Sequence, residues 1–147
     1  INISTKSEKN PEYPSNIVEM HVVDETDFIS AGDLLVISGH DETLSKTHQP
    51  YNKGVVGVVS GNPSITINNN GDKTKLYPIA LHGTVICKVD ARNSPINPGD
   101  FIVTSPTPGC GMKGSIDSLD KIGTVIGKAL TGISDGMGSI KLIIGKF

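Results

Sequence analysis

Apolar residues in this chain come in short runs separated by glycines and polar turns. Leu34-Leu35-Val36-Ile37, Val55-Val56-Gly57-Val58-Val59, Phe101-Ile102-Val103 and Val125-Ile126-Gly127 are too short for helices and rich in β-branched side chains. Elsewhere the pattern alternates. Val85, Cys87 and Val89 fall on one face of an extended segment, and Ser64-Ile65-Thr66-Ile67 alternates polar with apolar. Strands are therefore predicted over residues 16–23, 33–38, 54–60, 76–81, 84–90, 101–105, 123–130 and 139–144. Gly83 is expected to separate two of them, and a hairpin excursion over 61–75 turns at Asn68-Asn69-Asn70-Gly71. Residues 39–52 and 106–114 read as loops, and 115–119 as one helical turn. The predicted fold class is all-β, a barrel or clip-like sheet with little or no helix. Residues 1–15, polar with Pro11 and Pro14, read as an extended arm or linker before a single β domain over 16–147.

The pattern repeats. Ile29-Ser30-Ala31-Gly32-Asp33-Leu34-Leu35-Val36-Ile37-Ser38 is echoed by Ile96-Asn97-Pro98-Gly99-Asp100-Phe101-Ile102-Val103-Thr104-Ser105. In each copy a glycine supplies a turn that other residues resist, an aspartate can lock it through nearby amides, and a strand follows. Upstream, His21-Val22-Val23-Asp24 matches Cys87-Lys88-Val89-Asp90; downstream, Gly57 matches Gly127. Two duplicated strand–turn–strand units are expected, with Gly32, Asp33, Gly57, Gly99, Asp100 and Gly127 as their structural residues.

Composition narrows the function. The chain has 147 residues, 17 Gly, 9 Pro, no Trp and a formal net charge of -2 with scattered basic residues. That leaves no electrostatic footprint for nucleic acid, and no apolar run is long enough to insert in a membrane as a helix. Neither cysteine stands in ligand spacing to His21, His40, His48 or His82, so neither metal nor cofactor is expected. Cys87 is expected to be buried and reduced beside Val85 and Val89, the alternative being a bond to Cys110 in its Gly-rich loop. No nucleophile elbow or phosphate-cradling loop before a helix is present. Loop residues His40, Asp41, His48 and Tyr51 are candidates for hydrogen bonding to a glycan, although aromatic platforms are scarce.

Several segments together carry a family resemblance: Asn16-Ile17-Val18-Glu19-Met20, residues 51–60, residues 81–90, residues 99–109 and residues 123–130. The chain resembles a β-rich module found at the C-termini of bacterial surface and secreted proteins. It is similar, more distantly, to the self-cleaving chaperone-like domain (peptidase G2 type) that ends phage tail spikes. The resemblance implies a homotrimer at a cell or virion surface, or outside the cell, that serves assembly of a surface, fibre or tail structure. It also implies a cut before a serine followed four residues later by a glutamate; Ser15 and Glu19 have that spacing, with Pro14 where the phage pattern has Asn. Cys110 stands where the bacterial pattern has His. A non-catalytic assembly module is the leading expectation, with a carbohydrate-binding module and the self-cleaving domain as alternatives. Val55, Val58, Ile65, Ile67, Leu142 and Ile144 are the residues expected at the surface between copies.

Overall fold

The computed structural model describes residues 14–24, 28–39, 41–61, 65–67 and 76–145, with backbone only at 65–67. Half of the described residues are strand and 3% are helical. The strands are β1 (Asn16–Val22), β2 (Leu34–Ile37), β3 (Leu44–Lys46), β4 (Val55–Val59), β5 (Ile65–Ile67), β6 (Leu76–Asp90), β7 (Phe101–Thr104), β8 (Gly111–Lys113), β9 (Val125–Ala129) and β10 (Met137–Ile144).

Five strand segments close a barrel. From β6 the order runs to β8, β7, β9 and β10, and β10 pairs back on β6 over Gly83–Asp90. The first half of the chain repeats this connectivity. β1 lies antiparallel to Leu76–Gly83 of β6, β4 pairs β6, β2 pairs both β4 and β3, and a parallel bridge from Val23 to Leu44 completes the ring. The matching closure in the second unit is the parallel pair Val89–Gly111. β6 thus ends the first unit and begins the second. It runs unbroken through Gly83, where a break is predicted, because β1 and β10 both pair with that residue.

Two short strands fall in predicted loops. β3 and β8 are three residues each, too short to show a period, and each is held by the strand before it. β5 lies parallel to β1; the Asn68–Gly71 turn is outside the described residues. The predicted helical turn is a 3-10 turn at Leu119–Lys121, slightly later than expected.

The core repeats as well. Val23, Ile29, Leu35, Leu44, Val59 and Ile79 form one buried cluster. Val89, Ile96, Ile102 and Ala129, which match Val23, Ile29, Leu35 and Val59, belong to the other, larger one. Ring closure turns Leu142 and Ile144 inward, while Val58, on the opposite face of β4 from Val59, is buried against the other unit; all three are at 5% exposure or less, and half-buried Val55 packs against the same cluster. This corrects the assignment of Val58, Leu142 and Ile144 to a surface between copies: closing the rings and joining the units uses these side chains as the chain's own filling. The side chains of Ile65 and Ile67 lie outside the described residues.

Candidate functional site

The two Gly-Asp turns have one backbone. Gly32 and Gly99 sit at φ +94 and +92, in the left-handed region where a Cβ is strained. The Ser30 amide donates to Asp33 Oδ2 at 2.8 Å, and the Asn97 amide to Asp100 Oδ2 at 2.8 Å. The aspartate amides donate back to the Ser30 and Asn97 carbonyls, at 3.2 and 3.0 Å. Lys46 and Lys113, each thirteen residues beyond its aspartate, lie 3.9 and 3.7 Å from Oδ2. Gly57 and Gly127 match too. Each stands beside a bulge in its own strand, where Val56 or Ile126 is the extra residue, and a Cβ there would collide with the Ala80 or Ile143 carbonyl oxygen.

The surroundings of the turns differ. Asp33 is buried, and its Oδ1 accepts from Lys88 Nζ at 2.8 Å; Ser30 Oγ accepts from the same ammonium at 2.6 Å. The Lys88 amide donates to the Gly32 carbonyl, and the Leu34 amide to the Gly109 carbonyl. The first turn is therefore the joint between the units. A second joint lies at Thr104, whose hydroxyl donates to the Gln49 carbonyl at 2.7 Å and accepts from the Asn52 amide at 2.8 Å. Lys46, Lys88, Lys113 and Thr104 are not among the structural residues expected from the sequence. The equal spacing of Lys46 and Lys113 from their aspartates was visible; Lys88 and Thr104 act across units and left no local signal.

Ser15 and Glu19 are not brought together. Both lie along one extended segment, so four residues separate their Cα atoms by roughly 13 Å. Backbone groups of Ser15 bond to Thr84, and the Glu19 carboxylate is 3.1 Å from His21 Nε2. Within one chain Glu19 is out of position to take a proton from Ser15.

The glycan candidates also scatter. His40 is outside the described residues. His48 is exposed, and Tyr51 is half-buried at the second joint: its hydroxyl accepts from the Ser115 amide and Lys121 Nζ stands 4.4 Å from the ring centroid, so one ring face is taken. Asp41 instead borders a cleft of about 620 Å³ with Glu19, His21, Glu42, Ile37 and Val56. Another cleft, about 690 Å³, lies between the units and is lined by matching residues from both, Val55 with Val125 and Val56 with Ile126. No cluster of three metal-ligating side chains occurs among the described residues.

Cys87 and Cys110 are both buried thiols, not a disulfide. Burial pushes the Cys87 thiol up to about 12, and Cys110 is raised for the same reason. Neither is poised as a nucleophile. Hydrogen bonds from Arg92 and then Thr107 hold the Asp90 carboxyl well below the usual carboxylate range.

A duplicated five-stranded unit joined through one shared strand is the class this geometry defines. Solved structures that it resembles include proteins of bacteriophage phi29. The pre-mature gene product 12 aligns with TM-score 0.65 and 10% identity, over 90% of this chain and 22% of that one. The gene product 12 C-terminal fragment aligns with TM-score 0.62 and 10% identity, over 88% of this chain and the whole of the fragment. The head fiber gp8.5 N base aligns at 17% identity with TM-score 0.42, over 91% and 92% of the two chains. No family profile matches the sequence, and no curated protein resembles it. What is shared with gene product 12 is the fold, and this chain spans about a fifth of the pre-mature protein.

Proposed function

We propose that this chain is a non-catalytic assembly module of a phage-type tail or fibre, acting as a homotrimer at the virion surface. The observation that carries the reading is the likeness to the gene product 12 C-terminal fragment over that fragment's full length. The described part of the chain is consistent with it: a double ring joined through one shared strand. Residues 1–15 then serve as the arm joining the domain to a larger polypeptide. Light scattering on the purified chain tests the proposal. A trimer mass at tens of micromolar protein is expected; a monomer mass there overturns the assembly reading.

A further inference from the structure

We propose that the second Gly-Asp turn is a docking point for a lysine-bearing extended segment of another polypeptide. The first turn shows what such a turn holds. Against Gly32 and Asp33 lies an extended strand whose Lys88 amide donates to the Gly32 carbonyl at 2.9 Å and whose ammonium meets Asp33 Oδ1 at 2.8 Å. A Cβ on Gly32 would touch Lys88 Cγ at 3.2 Å, so the strand lies directly on the turn.

The second turn has every internal part of this arrangement. Asp100 Oδ2 accepts from the Asn97 amide, and Lys113 takes the place of Lys46 beside the same oxygen. The strand alone is missing. Nothing lies within 4 Å of a Cβ placed on Gly99, and Asn97, Pro98 and Gly99 are exposed. Among the described residues, nothing donates to the Gly99 carbonyl or to Asp100 Oδ1, the two acceptors that match those occupied by Lys88. The carboxylate side chain is 22% exposed, against 1% for Asp33. A carbonyl and a carboxylate oxygen, held by the spacing that seats a lysine and its own amide elsewhere in the molecule, select that same pair of donors by charge and geometry.

The strand that fills the first turn supplies the probe: a synthetic peptide with the sequence of residues 84–90, carrying Cys87→Ser to prevent oxidation. It is titrated into the ¹⁵N-labelled whole chain at low salt. Saturable amide shifts are expected at Asn97, Gly99, Asp100 and Lys113, with millimolar peptide. Binding should weaken at least tenfold for a Lys88→Ala peptide and for the Asp100→Asn chain. That variant retains an oxygen to accept from the Asn97 amide, and unchanged resonances around Asp33 would report an intact fold. No saturable shift, or shifts equally strong without the lysine or without the carboxylate, would overturn the proposal. The readout is independent of the chain's oligomeric mass, so a monomer that binds the peptide would overturn the assembly reading alone.

Discussion

Asp33 and Asp100 occupy the same turn and differ in what lies outside it. Each accepts one backbone amide at 2.8 Å and has one lysine near 3.8 Å on the same oxygen. Asp33 also holds Lys88 and lies buried between units, whereas Asp100 faces solvent. Local sequence therefore sets the shape of the turn, while its energetic weight comes from residues more than fifty positions away. A buried carboxylate that has lost water depends on its ammonium partners, and those partners depend on it; an exposed one is satisfied by solvent.

The largest expected effect follows from this difference. Asp33→Ala should destabilise the fold by roughly 3 kcal/mol, the lower end for a broken buried pair because Lys88, 35% exposed, can turn to water. Asp100→Ala should cost no more than about 1 kcal/mol. Urea unfolding of both variants checks this, and equal losses would break the comparison. The paired glycines sharpen it from the other side. Gly57→Ala and Gly127→Ala force a methyl against a backbone carbonyl in both units, so each should cost about 1–3 kcal/mol, and the two values should agree. Disagreement by more than the loss itself would mean that the units are not equivalent in packing. Gly99→Ala introduces strain without a clash and should cost about 1 kcal/mol in thermal unfolding. Gly32→Ala should exceed it, since Lys88 Cγ must also move.

The smallest effect appears with pH. The unfolded Cys87 thiol titrates at about 8.5, and burial holds the folded one up to about 12. The unfolded chain therefore releases its proton first. Stability present below about pH 8.5 is lost as pH rises between the two values. Thermal midpoints from pH 7 to pH 10 should fall less steeply for Cys87→Ala, after allowing for its lower starting stability. An unchanged slope would remove Cys87 from the account. Asp90 works in the opposite direction: its contribution, fully present above the ordinary carboxylate range, is lost as pH falls from that range through the lowered folded value.

Much of this architecture was legible in the chain. Glycine before aspartate before an apolar tetrad forces a left-handed turn followed by a strand, and it does so twice because the requirement lies in φ and in one nearby amide. The apolar runs placed most of the longer strands, and the alternation around Cys87 placed it inside. β3 and β8 were not legible, since three residues carry no period and their pairing is imposed by β2 and β7. Nor was the burial of Val58, Leu142 and Ile144: strand alternation says that two faces exist, and only ring closure and the joining of the units say which are covered. Spacing suggested Ser15 with Glu19 as a pair, and a shared loop suggested His40, Asp41, His48 and Tyr51 as one glycan-binding group. An extended backbone separates the first pair, while Tyr51 is engaged by Ser115 and Lys121 at the second joint and Asp41 borders a separate cleft.

By itself, then, the sequence determined the local conformations: the two turns, the longer strands and the duplication that relates the halves. These depend on backbone sterics and side-chain branching within a few residues. Tertiary structure alone decided that the halves share β6, that Lys88 crosses to Asp33, and that the matching oxygen on Asp100 is left open. Those outcomes depend on closing one sheet into rings, a long-range condition that brings together residues with no local reason to meet.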